Sequence, residues 1–448
     1  MARLRSLPLG SITLAAALLA PQVVMARAVQ PRASSAVNEP VLRVLVFQGA
    51  EVRLRLAQAA SGLRLRDAQG RLLQEFSGPV VLQAQPQNGW LNLIQVETSA
   101  PQQWQAREVW LEALSGSEET DPGLWLGQRR YRGRLQLRWE AGQLQVVNHV
   151  PLEVYLPSVV GSEMPASWPL EALRAQAVAA RTYALKARKP AAVFDLQATT
   201  SSQVYKGVEA ETPSTVAAVE ATRGLVLTYN NSLIDAVFHS SSGGSTENSG
   251  DLWSRQLPYL VSVPDYDNAS PVRDWRQPLD QTKLRQAFPE LGGALGIDVI
   301  STTPTGRVRQ ARVVGPSGQL ALSGAQLRSR LGLKSTLVRF ELVPTSPPSA
   351  AFTALLPPPP VSAFTLPAPP ASTAEVVQLV AVGRGFGHGV GMSQWGALAM
   401  AQRGDSFAAI LKHYYRGTEL QAYNELARSV SAERGLGNDT PQTLAVSP

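Results

Sequence analysis

The pattern of apolar and polar positions changes character several times along the chain. From Val41 to about Val147, apolar residues recur in stretches at every second position. Leu42-Arg43-Val44-Leu45-Val46-Phe47 and Val52-Arg53-Leu54-Arg55-Leu56 are the clearest runs. Successive side chains of a strand point to opposite faces, so this period predicts half-buried β-strands. Arg132–Trp139 reads the same way, with a turn at Glu140-Ala141-Gly142 before the next strand at Leu144–Val147.

A helical segment follows. Pro169 suits a first turn, Ser167 a cap, and Glu171 the positive end of the helix dipole. From Glu171 to Ala187 the sequence is dominated by alanine, and small side chains on several faces predict a central helix that neighbours approach closely. Pro190 marks its end. Short strands and polar loops resume from Val193 to Val263. Residues 344–371 are of low complexity, with Pro357-Pro358-Pro359-Pro360 inside them, a composition that favours polyproline II or disorder and builds no core. This stretch separates two strand-like runs, Leu337–Val343 and Val376–Val382, expected to pair as a hairpin with the segment looped out. A glycine-rich turn and two short helices close the ordered part. Gly404 ends the first helix, Asp405-Ser406 cap the second, and Gly417 stops it.

The expected fold class is therefore α+β: a β-rich N-terminal part, a central alanine-rich buried helix packed on mixed strands, and a glycine-rich turn with two short C-terminal helices. The expected organisation is a signal peptide (1–28), a disordered lead (29–40) and a β-rich region (41–147). A catalytic or binding domain (148–424) carries the proline-rich insertion (344–371), and a disordered tail (425–448) ends the chain.

Composition narrows the setting. Arg3 and Arg5 precede the apolar run Ile12–Leu19, and Ala26-Arg27-Ala28 supplies a small-x-small cleavage pattern. The run is too short to span the ~30 Å of bilayer hydrocarbon. A cleaved secretory signal with a mature start near Val29 is expected, a retained anchor being the alternative, and no later segment approaches a membrane span. The location implied is exported, in the periplasm or cell wall. The formal charge is +7; removing Arg3, Arg5 and Arg27 leaves 7 − 3 = +4, a scattered excess that does not make a nucleic-acid stripe. The chain has no cysteine, which excludes disulfides, thiolate metal sites and cysteine nucleophiles. Its four histidines (His149, His239, His388, His413) are scattered without a metal-ligand spacing, so neither metal nor cofactor is expected.

Three constellations carry candidate chemistry. In Gly161-Ser162-Glu163-Met164-Pro165, Glu163 sits among apolar residues just before a helix. It reads either as a plain surface or capping glutamate or as an acid kept protonated by desolvation. Gly383–Gly396 alternates glycines around His388 and reads either as a glycine-shaped loop with a structural histidine or, as its density of unusual residues favours, as a presented imidazole with Gln394 and Trp395 as candidate sugar contacts. The spacing completes neither a dinucleotide fingerprint nor a nucleophile elbow. His239-Ser240-Ser241-Ser242-Gly243-Gly244 is a polar loop after an expected strand, Ile234–Phe238, and reads equally as a substrate contact or a solvated turn. Gln203-Val204-Tyr205 has a similar status.

Taken together, these motifs resemble the stage II sporulation protein D / amidase enhancer (SpoIID/LytB) family. The matching stretches are Val150–Tyr155, Glu163–Pro169, Glu171–Tyr183, Gln203–Tyr205, Ser242–Gly244 with Thr246-Glu247, Gly385–Ala397 and His413–Tyr415. The resemblance spans about residues 130–420. It implies work at peptidoglycan, either as a lytic transglycosylase cutting glycan strands that lack stem peptides or as a non-catalytic activator of a cell-wall amidase. The family's catalytic acid maps onto Glu163, and the substrate-binding candidates are Gln203, Tyr205, His239, Ser242, His388, Gln394 and Trp395. Sporulation members carry Cys and His near the Gln-Val-Tyr strand, where zinc binds. Thr199-Thr200-Ser201-Ser202 stand here, so no zinc is carried over. A lone acid suffices for the implied chemistry, leaving Glu153, Glu247 and Asp251 without a catalytic role.

Overall fold

The computed structural model describes residues 39–58, 60–115, 121–344 and 377–426. The expected signal peptide (1–28), most of the lead (29–38), the body of the proline-rich segment (345–371) and the tail from 427 onward lie outside the described residues. Among the described residues, no helix is long and apolar enough to cross a membrane.

The fold is α+β with a β-rich N-terminal part. Val52–Leu56 alternates buried and exposed along its whole length, as its sequence period requires. The alternating runs build two sheets. One orders its strands as Leu196–Gln197, Val41–Gly49, Gln143–Pro151, Arg134–Glu140, Glu108–Ser115, Ala60–Asp67 and Leu72–Ser77. The other runs Arg129–Tyr131, Leu124–Leu126, Val52–Leu56, Val81–Gln87, Trp90–Val96 and Gln103–Ala106. The predicted turn is a tight hairpin: Glu140 pairs with Gln143, and Ala141 and Gly142 both take positive φ (50° and 77°).

Among the described residues, eight α-helices come after these N-terminal strands, with shorter strands between them: α1 (Leu152–Glu163), α2 (Leu170–Lys186), α3 (Pro213–Ala221), α4 (Ser249–Leu252), α5 (Gln281–Ala287), α6 (Gly324–Leu331), α7 (Gln394–Gln402) and α8 (Phe407–Tyr414). The central one, α2, packs on α1, α3, α7 and α8. Its alanines 172, 175, 177, 179, 180 and 184 are all fully buried, which lets four helices reach its backbone. One local expectation differs. Ser167 does not cap α2; Pro169 occupies the cap position, with no side-chain bond. Glu171 accepts the backbone N–H of Phe407 at 2.7 Å and so supports the first turn of α8.

The sandwich core runs unbroken into the helical part: Leu42, Leu137, Val146, Leu156, Val178 and Met392 belong to one buried cluster. A second cluster gathers Trp275, Phe288, Val313, Leu327, Leu331 and Leu379. It sits among the sheet Asp274–Leu279, Val377–Arg384, Val338–Pro344, the sheet Gly296–Thr302, Val308–Gly315, Gly318–Ser323, and helices α5 and α6. Val338–Pro344 and Val377–Arg384 pair antiparallel from Val338↔Gly383 to Pro344↔Val377, the hairpin expected across the proline-rich segment.

Candidate functional site

Glu163 is the last residue of α1. Pro165 biases the residue before it towards extended backbone, and Met164 adopts φ −130° and ψ 144°, which stops the helix. The carboxyl group therefore stands at the electronegative end of α1, where an anion is disfavoured. One of its oxygens accepts the backbone N–H of Val204 at 2.8 Å, and the other accepts Nε2–H of Gln394 at 3.3 Å. Burial pushes its pKa above the ordinary glutamate value. The Val204 and Gln394 hydrogen bonds and the charge of Lys206 oppose this without reversing it.

Glu163 lines a cavity of about 640 Å³ together with Tyr183, Ser202, His239, Phe386, His388 and Gln394. That volume lies within the range of small-molecule sites, ~300–1,000 Å³. Glu163 is the one carboxylic acid in its wall among the described residues. Two half-exposed aromatic rings, Trp253 and Phe386, face it. Exposed aromatic surface beside convergent polar groups is the usual character of a small-molecule site.

The histidines form a tilted pair with ring centroids 5.3 Å apart. Nδ1 of His388 accepts the Val390 N–H at 3.1 Å, and its Nε2–H donates to the Phe238 carbonyl at 3.0 Å. Those partners hold a neutral ring, and burial lowers its pKa to about 4. His239 donates Nδ1–H to the Val390 carbonyl at 3.1 Å, leaving Nε2 a buried acceptor with no partner among the described residues. Burial, His388 and Arg307 lower its pKa well below the usual value. Neither ring gains a proton near neutral pH, so both serve as wall and hydrogen-bonding groups.

The glycine-rich turn owes its shape to what lies beneath it. Gly389 has φ 87°, and a Cβ there would sit 2.3 Å from the guanidinium of Arg307. Arg307 is fully buried, donates to the Ser242 carbonyl at 2.7 Å, and is lowered by burial to about 10.

Four of the sequence candidates meet at this cavity: Glu163, His239, His388 and Gln394. The others do not line it. Gln203 is fully buried between the hydroxyl of Tyr155 and the carbonyl of Ala180. Tyr205 lies in the core, donating to Asn148 at 3.0 Å beside the rings of Tyr131 and Tyr155. Ser242 is fully buried and donates to Asp265. Trp395 packs edge-on against Trp168 at 5.1 Å. The expected strand Ile234–Phe238 is reduced to Phe238–His239, paired in parallel with Met392–Ser393. Sequence reading missed Trp253, Phe386 and Arg328 at the cavity; the two aromatics within polar or glycine-rich loops were the available signal. The other acids are engaged elsewhere: Glu153 with Arg181, Glu247 with Thr303 and Thr305, and Asp251 with Arg309. Thr199–Ser202 present hydroxyls, with no imidazole or thiolate among them, so they do not fit the nitrogen and sulfur set that zinc prefers.

Fold and site together define an α+β protein with a half-buried carboxyl group that is the one acid among the described residues of its cavity wall. The sequence profile of the Stage II sporulation protein family matches residues 140–229. The chain is 33% identical over 313 residues to Stage II sporulation protein D of Bacillus subtilis (strain 168), covering 65% of this chain and 80% of that protein. It is 34% identical over 297 residues to the Amidase enhancer of the same organism, covering 60% of this chain but 40% of that protein. The chain belongs to the stage II sporulation protein D family.

Proposed function

We propose that this protein is an exported lytic transglycosylase of peptidoglycan, with Glu163 as its general acid and base. The observation that carries the reading is the solitary acid in the cavity wall. Glycosidases that use water as nucleophile employ two carboxyl groups in most families. A muramoyl residue brings its own nucleophile, the 6-hydroxyl, and needs one proton carrier.

In the proposed sequence, protonated Glu163 gives its proton to the glycosidic oxygen as the bond from C1 of N-acetylmuramic acid breaks. The departing N-acetylglucosamine keeps that proton as its free hydroxyl. The 6-hydroxyl then closes on C1, and the Glu163 carboxylate takes the proton released. The products are a 1,6-anhydro end and a regenerated acid, with no water consumed. The raised pKa suits the first step, because the acid must hold its proton near the working pH.

Purified protein incubated with glycan strands should yield anhydro-muropeptides by mass spectrometry, and Glu163→Gln should lower their rate by about 10²–10⁴-fold. Absence of anhydro ends, or an undiminished rate in Glu163→Gln, would defeat the reading. The similarity to an amidase enhancer favours a second reading, a wall-binding activator of a cell-wall amidase. That reading expects stimulation of the partner to survive Glu163→Gln.

A further inference from the structure

The cavity that holds Glu163 has a neighbour. Trp253, Arg328 and His388 also line a neighbouring cavity of about 900 Å³, so the two abut across these three side chains. The second cavity is walled by α6, by Gln310 and by Thr336, which places it over the second hydrophobic core. Its wall carries hydroxyl and amide groups from Ser301, Gln310, Ser323, Ser329 and Thr336. Two adjoining cavities of this combined extent fit a polymer better than a single disaccharide.

Arg328 is the unusual group at the junction. Among the described residues its side chain makes one hydrogen bond, from Nε to the Leu333 carbonyl at 3.2 Å, and no ion pair with a carboxylate. The one acid in the second cavity's wall, Asp251, is already paired with Arg309. Arg307 lies close enough for the charge of Arg328 to lower its pKa. Its partly desolvated guanidinium has its pKa lowered by burial. An arginine left half-buried without a counter-charge is costly unless a ligand supplies the anion, and its planar fork suits a carboxylate.

We infer that Arg328 is a specificity-determining residue that recognises a carboxylate borne by the glycan where it passes from the acid's cavity into the second one. The inference rests on the glycan reading above. Two sources carry that chemistry: the lactyl carboxylate of an N-acetylmuramic acid without a stem peptide, and the carboxylates of a stem peptide itself.

The test is equilibrium binding of defined oligosaccharides to the full chain carrying Glu163→Gln, so that bound glycan is not consumed. The probes are a stem-free muramoyl tetrasaccharide, the same molecule with its lactyl groups as methyl amides, a peptide-bearing version, and an uncharged N-acetylglucosamine oligomer. A carboxylate-bearing probe is expected to bind about ten- to a hundredfold tighter than the uncharged ones. Arg328→Gln should erase that difference and leave uncharged binding in place, and Arg328→Lys should restore part of it. Added salt should weaken the charged probe alone, a readout that needs no substitution at Arg328. Preference for the free lactyl form assigns the carboxylate to the sugar; preference for the peptide-bearing form assigns it to the stem. Equal binding of all four probes, or a preference that survives Arg328→Gln, would overturn the inference and leave the glycan reading standing. Failure of every probe to bind would overturn both.

Discussion

The two ends of α1 carry the same side chain to opposite purposes. At the first turn, Glu153 is buried and clasped by Arg181 through bonds of 2.8 and 2.7 Å, with Gly224 N–H adding a third at 3.2 Å. At the last residue, Glu163 has no arginine in reach of a hydrogen bond among the described residues and receives two neutral N–H donors instead. A carboxylate at a helix N-terminus meets the positive end of the dipole; one at the C-terminus meets the negative end. Helix direction, burial and the presence or absence of a cation thus separate a structural ion pair from a group suited to hold a proton. Residue type alone does not.

Breaking the first end should have the larger effect on folding. Arg181→Met leaves Glu153 buried without its counter-charge, and urea unfolding should show a loss of about 3–5 kcal/mol. Replacing both partners by apolar residues of similar volume should recover most of that loss, since a buried pair often contributes little net stability. A double variant as unstable as the single one would mean that Glu153 matters for its contact with Gly224 more than for the ion pair.

At the second end, folding and function should move in opposite directions. Glu163→Gln should remove most of the proposed activity yet should not destabilise the protein at neutral pH. The sign follows from the raised pKa. The folded state binds the proton more tightly than the unfolded chain, so wild-type stability from this group is full below the ordinary glutamate value and falls as pH rises through the raised one. Glutamine has no such loss. The stability difference in favour of Glu163→Gln should therefore grow across that window and vanish below it, a trend readable from urea unfolding at a series of pH values.

The smallest change sharpens the contrast further. Gln394→Leu removes one of the two donors that favour the anion of Glu163. The alkaline limb of the pH–rate profile should move to higher pH, with modest effect on stability. An alkaline limb moving to lower pH would show that the amide donor is not what holds the pKa down.

Much of this geometry was legible along the chain because its causes are local. Period-two alternation marked the strands of the two N-terminal sheets, and Ala141-Gly142 marked a hairpin; α1 was not legible, since Glu163 was read as standing before a helix and it closes one. Pairing across the proline-rich segment was legible too, since two apolar runs flank a stretch that cannot form a core. Long-range satisfaction was not legible. Gln203, Tyr205 and Ser242 looked like substrate contacts because they are polar and stand in distinctive motifs, but each is spent on a buried partner: Tyr155 and Ala180, Asn148, and Asp265. Ser167 has the composition of a cap, yet Pro169 takes that position. Trp253 and Arg328 reach the cavity from α4's end and from α6, on the far side of chain folds that no local pattern encodes.

The most direct measurement is the titration of the Glu163 side-chain carboxyl carbon by NMR, using selectively labelled protein and Glu163→Gln to assign the signal. The expected midpoint lies clearly above the ~4.3 of an unperturbed glutamate, with a further rise in Gln394→Leu. A midpoint at or below that ordinary value would mean the group is a solvated carboxylate at neutral pH, and the proton it is proposed to deliver would not be there.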